Sequence, residues 1–303
     1  MTAEAADKLR ELPDGDATGG WCFAFDAMGC TFGLRIVHPR RDYARQAAWA
    51  SCAEIDRLEQ LFSRFVPCSD ISRLNAAAAN ELVPVSSETT ECLQLAHAVC
   101  VETAGAFDAV YRSRQRLGAG PALVFDPQAR GVVVRVTGLD LDLGGIGKGY
   151  ALDRAATVLR QWNVAAALLN AGQSTAYGLG RPPSGQRWRV GLRRPDRPDE
   201  IAGQVELTDR AVAGSGQRVH GPHILDPRTG QPPARSAAWA LAPTAALADA
   251  LSTAFMVMST EEIRAYCARH ADVAAVIWET AVDSEPTLAG TGSALPPGLC
   301  PPL

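Results

Sequence analysis

Apolar residues recur at helical spacing over residues 42–65, at Ala48, Cys52, Ile55, Leu58, Leu61 and Phe62. That period predicts a long amphipathic helix. Ahead of it, residues 21–37 alternate well enough for a strand pair broken near Gly29. A short turn of helix is expected at 71–74, closed by Asn75. Ser87 is expected to cap a second helix running to about Gly105. Residues 122–136 suggest a hairpin turning around 128–131. Its β-branched run (Val132, Val133, Val134, Val136) leads into Leu-Asp-Leu-Gly-Gly-Ile-Gly-Lys-Gly-Tyr at 141–150. A helical pattern follows at Ala151, Leu152, Ala155, Ala156, Val158 and Leu159. Strands are expected at 165–169, 188–192, 204–208, 237–241 and 273–278, with a polar turn after the first and a loop over 213–230. A helix is expected at 244–258. Ser259 with Glu262 forms a capping box that opens another, to about His270.

Helices and strands are interspersed, yet several strands are joined by short turns. The expected class is α+β, with mixed or antiparallel sheets and packed helices, rather than a doubly wound sheet. The expected organisation is a flexible lead (1–20), one domain (21–284) and a Gly/Pro-rich tail (285–303).

Composition narrows the functional classes. The chain has 303 residues, 47% hydrophobic and 20% charged, as in an ordinary globular protein. A net charge of −4 and the lack of a basic run argue against nucleic-acid binding. None of the eight cysteines forms a C-x-x-C pair, so a zinc ribbon or dithiol motif is not expected. Cys52, Cys92 and Cys267 fall on apolar helix faces, where Cys acts as a small hydrophobe. Residues 1–20 are polar and acidic, with no signal-peptide core, and no apolar run spans a bilayer. The expectation is a reduced, cytoplasmic protein.

The strand–loop–helix at 141–150 is the strongest chemical signal. Its glycines let backbone N–H groups approach an anion, and the helix start favours negative charge. Lys148 can neutralise a phosphate, and Asp142 places a carboxylate on the same loop. Neither familiar phosphate template fits: the position five before Gly147 is Asp142, Gly149 follows Lys148, and the glycines are spaced G-x-G-x-G. The plain alternative is a tight turn with a surface lysine.

Asp249 and Thr253, at i and i+4, share one face of the 244–258 helix. A carboxylate beside a hydroxyl makes a hard-cation site. The alternative is an exposed Asp and a Thr bonded into its own helix. The apolar neighbours Ala246, Leu247, Ala250, Leu251, Ala254 and Phe255 argue for burial, and a buried carboxylate needs a partner. His223 opens the turn His-Ile-Leu-Asp-Pro-Arg-Thr-Gly, as a general base, a phosphate donor or, taken alone, a structural His. Gly105 suits a helix C-cap, and Asp108 either bonds a ligand or caps the next element. His38, His97, His220 and His270 have no spacing partners.

The order of these pieces resembles the FAD:protein FMN transferase family (ApbE-type flavin transferases). The matching segments are Met28-Gly29-Cys30-Thr31, Ser63-Arg64-Phe65, Ser69-Asp70-Ile71-Ser72-Arg73-Leu74-Asn75 and Gly105-Ala106-Phe107-Asp108. They continue with Asp142 through Tyr150, Gly172-Gln173-Ser174, Gly214-Ser215-Gly216, His223 through Gly230, and Asp249-Ala250-Leu251-Ser252-Thr253. The likeness covers roughly 21–278.

The resemblance implies an ApbE-like fold and an enzyme that moves the FMN part of FAD onto a Thr or Ser of an acceptor flavoprotein, releasing AMP with Mg²⁺. It implies a metal held by Asp249, Thr253, Ser252 and a carbonyl near Gly145. It implies FAD contacts from Met28, Phe65, Ala106, Phe107, Asp108, Asp142, Lys148 and Ile224, with His223 as the base that deprotonates the acceptor hydroxyl. The chain departs from the family pattern at Gly214 (Thr in the family), at Gln217-Arg218, and at Gln173 and Ser174. These positions bear on the flavin or acceptor pocket and leave Asp249, Thr253, Lys148 and His223 intact. Two other outcomes stay open: a non-catalytic FAD-binding protein, and an FAD pyrophosphatase in which water replaces the acceptor hydroxyl.

Overall fold

The chain enters through the three-residue strand β1 (Arg10–Leu12), followed by the hairpin β2 (Trp21–Ala27) and β3 (Cys30–Val37). The computed structural model describes residues 8–13, 20–113, 120–126, 128, 130–197, 199–216, 224–233, 235–279 and 286–290. Helix α1 (Arg41–Phe62) buries Ala48, Cys52, Ile55, Leu58 and Phe62, the stripe its sequence period predicts. Next come α2 (Asp70–Ala76), β4 (Glu81–Pro84) and α3 (Ser87–Glu102). The α3 cap is Ser86, one residue before the expected Ser87, and it accepts from Thr89 N.

Strands β5 (Leu123–Asp126) and β6 (Gly131–Val134) precede the glycine loop and α4 (Gly147–Gln161). Five strands follow: β7 (Ala166–Ala171), β8 (Thr175–Leu179), β9 (Trp188–Arg193), β10 (Ile201–Leu207) and β11 (Arg210–Gly216). The chain continues through β12 (Arg235–Ala242), α5 (Ala245–Val257), α6 (Thr260–Arg269), β13 (Ala274–Glu279) and β14 (Thr287–Ala289). Thr244 caps α5, and the Ser259/Glu262 capping box opens α6 as expected.

Nine strands form one sheet in the order β1-β2-β3-β7-β8-β11-β12-β13-β14, every neighbouring pair antiparallel. One face carries the main core, with α1, α4 and α5 packed on it. The other is covered by the β9–β10 hairpin, through Trp188, Leu192, Val205 and Leu207. A three-stranded sheet, β4-β6-β5, leads into the glycine loop. Among the described residues no helix is long and apolar enough to cross a membrane.

Several local expectations are corrected. The loop over 213–230 begins inside β11, and the polar turn after 165–169 contains the central strand β8. Residues 10–12 of the expected lead pair with β2, and 287–289 of the expected tail pair with β13. The sheet therefore extends past both ends of the 21–284 span.

Candidate functional site

The glycine loop is strapped down before it reaches α4. Asn75 accepts the Leu141 N–H at 2.7 Å and donates to its carbonyl at 3.0 Å. Asp142 N donates to Ala109 O at 2.8 Å, just beyond Gly-Ala-Phe-Asp. Asp142 Oδ1 accepts Gly144 N at 2.8 Å. Leu143 and Ile146 are buried, so the loop hangs between an apolar anchor and the start of a helix that has no side-chain cap. Lys148 sits in the first turn, with Nζ donating to Gly144 O at 2.8 Å.

Helices α4 and α5 cross with their backbones in contact at Gly149. A Cβ there would be driven into the Ala245 carbonyl oxygen and would stand 2.8 Å from Ala246 Cα. This close approach lets each helix start be served by a carboxylate of the other. Asp249 Oδ2, on α5, accepts the Gly149 N–H at 3.1 Å. Asp153, on α4, accepts Ala245 N at 2.7 Å and Ala246 N at 2.8 Å. Both fill donors that a helix N-terminus leaves open. Burial pushes the Asp153 carboxyl up to about 6, against the two N–H groups that favour its ionised form. Sequence reasoning missed Asp153; its only signal is the i, i+4 spacing from Gly149 on a buried helix face.

Asp249 is 4% exposed. Its Oδ1 accepts from Thr175 Oγ1 at 3.3 Å, and among the described residues no Lys or Arg is ion-paired with it. Thr253 and Ser252 donate to the Asp249 carbonyl at 3.3 and 2.9 Å. Ser215 Oγ lies 2.9 Å from Ser252 Oγ and 3.4 Å from Thr253 Oγ1. Gly145 closes the group: a Cβ there would stand 3.3 Å from Thr253 Oγ1 and 3.2 Å from the Phe107 ring.

Asp249, Thr253, Ser252 and Gly145 are thus brought together; Asp249 is not the exposed side chain of the plain alternative, while Thr253 does bond into its own helix, as that alternative has it. Among the described residues no three His, Cys, Asp or Glu side chains group to hold a metal. A cation here would have one carboxylate and neutral oxygens around it. Mg²⁺ suits such a set, because it keeps several waters and takes phosphate oxygens as further ligands.

Of the other expected residues, Phe107 reaches this cluster at Gly145, and the rest lie on nearby turns of the chain. Met28 (φ +50°) and Gly29 (φ +71°) form the left-handed turn of the β2–β3 hairpin, and Met28 N donates to Glu59 Oε1 at 2.9 Å. Burial raises the Cys30 thiol; the Lys148 charge opposes this and Asp249 reinforces it. Ala106, Phe107 and Asp108 are buried, and Asp108 Oδ1 accepts Val110 N at 3.0 Å. The α3 end before them is a Schellman arrangement. Ala104 (φ +50°) holds the left-handed position, and Gly105 N bonds Cys100 O at 2.8 Å.

Ile224 is buried and leads into the Asp226 turn. Arg228 pairs with Asp226 at 2.9 Å and with Glu262 at 2.9 Å, and its Cγ would lie 3.7 Å from a Cβ on Gly105. The two turns therefore dock on one another. His223 lies outside the described residues, as do Gln217 and Arg218.

Asp142 faces two guanidinium groups that sequence reasoning did not assign. Arg64 stands 3.4 Å away and pairs with Asp140 at 2.8 Å, while Arg112 stands 3.5 Å away. An open cleft of about 480 Å³ adjoins them, lined by Arg64, Ser72, Asn75, Gly138, Leu139 and Asp140. Phe65, next in sequence to Arg64, is 87% exposed, with the Arg64 guanidinium 5.9 Å from its ring centroid.

The departure at Gly214 has a local cause. A Cβ at 214 would meet Trp239 Cδ1 at 2.5 Å, so the indole of the paired strand fills that space. Trp239 packs with the β9–β10 cluster, on the sheet face opposite to Ser215 and the cluster it joins. Gln173 is an exposed turn residue, and Ser174 O accepts Gly214 N at 2.7 Å.

Comparisons with known proteins bear on the family and the fold. The model of the ApbE family matches residues 28–277. An FAD:protein FMN transferase of Klebsiella pneumoniae (strain 342) is 26% identical over 249 residues, covering 69% of this chain and 70% of the relative. The solved ApbE protein of Thermotoga maritima is 26% identical, with a TM-score of 0.74 over 85% of this chain and 94% of that one. Flavin transferase ApbE of Vibrio cholerae is 21% identical with a TM-score of 0.77, covering 94% of this chain and 98% of that one, a likeness of fold.

Proposed function

The chain belongs to the ApbE family, and on that premise we propose that it transfers the FMN moiety of FAD to a Thr or Ser hydroxyl of an acceptor protein. The observation that carries this reading is the buried Asp249 carboxylate at the start of the glycine-loop helix, beside Thr253 and Gly145. We assign the acceptor oxygen as the nucleophile on the FMN phosphorus. A new P–O bond forms, the bond to the AMP phosphate breaks, and AMP leaves. The hydroxyl proton passes to a base, the role we give His223.

Mg²⁺ held by Asp249, Thr253 and the Gly145 carbonyl would offset charge on the pyrophosphate. Ser252 supports this group by bonding the Asp249 carbonyl. Lys148 adds a second positive charge beside the loop. Met28, Phe65, Ala106, Phe107, Asp108, Asp142 and Ile224 are the residues we assign to contacts with FAD. Phosphoryl transfer needs little more than positioning and charge stabilisation, the roles this reading gives to the strapped-down loop and the α4 start.

Chromatography of the products separates the readings. Incubation with FAD and Mg²⁺ should release AMP only when an acceptor domain is present. Free FMN and AMP without acceptor would instead indicate hydrolysis, and intact FAD under all conditions would indicate binding alone.

A further inference from the structure

Three hydroxyls contact Asp249, and among the described residues only one of them donates to its carboxylate. Ser252 and Thr253 donate to the Asp249 backbone carbonyl, and Ser215, with one proton to give, lies 2.9 Å from Ser252 Oγ and 3.4 Å from Thr253 Oγ1. Thr175 Oγ1 stands 3.3 Å from Asp249 Oδ1. Its other hydroxyl neighbour, Ser174 Oγ, is farther, at 3.5 Å. A carboxylate only accepts and a hydroxyl has one proton, so the nearer contact is Thr175 donating to Asp249.

Thr175 is 3% exposed and opens the central strand β8, where its backbone pairs with Ala171 and Ala213. The rest of β8 is Ala, Tyr, Gly and Leu, all buried. A valine would fill such a position with the same shape and without the cost of burying a hydroxyl. The two Asp249 oxygens are thus held by two different elements: Oδ2 by an N–H of α4 and Oδ1 by the β8 hydroxyl. Each oxygen keeps a further lone pair. The carboxylate plane is fixed before any ligand arrives.

We propose that Thr175 is a positioning residue that sets the divalent-cation affinity of Asp249. This inference rests on the metal reading given above. Partners of metal-ligating carboxylates typically contribute about 10–100-fold to metal affinity.

The test is direct cation uptake, with no acceptor present. Mn²⁺ is titrated into the protein with FAD, and free Mn²⁺ is read by electron paramagnetic resonance. Thr175→Val should weaken uptake by roughly tenfold or more, Thr175→Ser should restore it, and Asp249→Ala should abolish it. Equal Mn²⁺ affinity in wild type and Thr175→Val would overturn the inference and leave the metal reading standing. A wild type that takes up no Mn²⁺ would remove the metal reading and the inference with it. A merely structural threonine predicts the opposite pattern, in which losing the methyl in Thr175→Ser lowers the melting temperature while cation affinity stays constant. Should Thr175→Val fail to fold, Thr175→Cys, a weaker donor of similar size, must still bind Mn²⁺ less tightly than Thr175→Ser.

Discussion

Replacing Gly149 by Ala should strike both carboxylate contacts at once. The added Cβ would stand 2.6 Å from Ala245 C and 2.8 Å from Ala246 Cα, all rigid backbone of α5. To restore ordinary contact the helices must part by roughly 1 Å. Forcing an extra methyl into such a contact costs about 1–3 kcal/mol. The Gly149–Asp249 bond lengthens with it, and a hydrogen bond to a charged group contributes about 1.5–3 kcal/mol. Higher helix propensity returns about 1 kcal/mol. The net expectation is a loss of about 3 kcal/mol.

Gly147 supplies the control. A Cβ there meets Leu143 Cβ at 3.5 Å and Phe62 Cδ2 at 3.7 Å, which is ordinary contact. Gly147→Ala should be neutral or gain up to about 1 kcal/mol. Urea melts of the two variants beside wild type measure the difference. Equal stability of Gly149→Ala and Gly147→Ala would refute the backbone crossing and the paired helix starts built on it.

Asp249→Ala should abolish FMN transfer and cost about 1–3 kcal/mol by orphaning the Gly149 N–H; a product assay and a melt read the two effects separately. Asp153 gives a pH signature. Burial raises its folded pKa to about 6 from 3.8, so the native state holds the proton more tightly than the unfolded chain. Its contribution is largest below about pH 4, falls by roughly 3 kcal/mol as pH rises to about 6, and is flat above. Urea melts of wild type and Asp153→Asn at pH 4, 5, 6 and 7 should show wild type losing ground over that window; a constant gap would contradict the burial. Gly214→Thr should cost about 1–3 kcal/mol by clashing with Trp239, and Gly214→Thr with Trp239→Val should recover part of it; strict additivity in a double-mutant cycle would refute the contact.

The parts legible in the sequence are those whose signal is local. The α1 stripe, the Ser259/Glu262 box and the Asp249–Thr253 pair each follow from spacing within one helix. The parts that were not legible depend on distant partners. Strand β8 is buried on both faces, so Thr-Ala-Tyr-Gly-Leu shows no alternation, and the Gly-Gln-Ser before it reads as a turn. Strand β11 carries Ala, Gly and Ser, weak strand formers that pair here because Trp239 of β12 covers Gly214. The three-residue strands β1 and β14 form only against the edges they join.

The site divides in the same way. The glycine loop, Lys148 and Asp249 stand out as residue types in an unusual setting. Asp153 and Thr175 look like an ordinary helix acid and a turn threonine until α4, α5 and β8 converge. Arg64 and Arg112 gain meaning only when the loop folds back and sets Asp142 between them.

Intact-mass spectrometry of a flavin-acceptor domain, incubated with this protein, FAD and Mg²⁺, should show a gain of one FMN. That gain should vanish with EDTA and with Asp249→Ala. An acceptor left unmodified while FAD is split to free FMN and AMP would contradict protein flavinylation. A gain that survives Asp249→Ala would contradict the place given to Asp249.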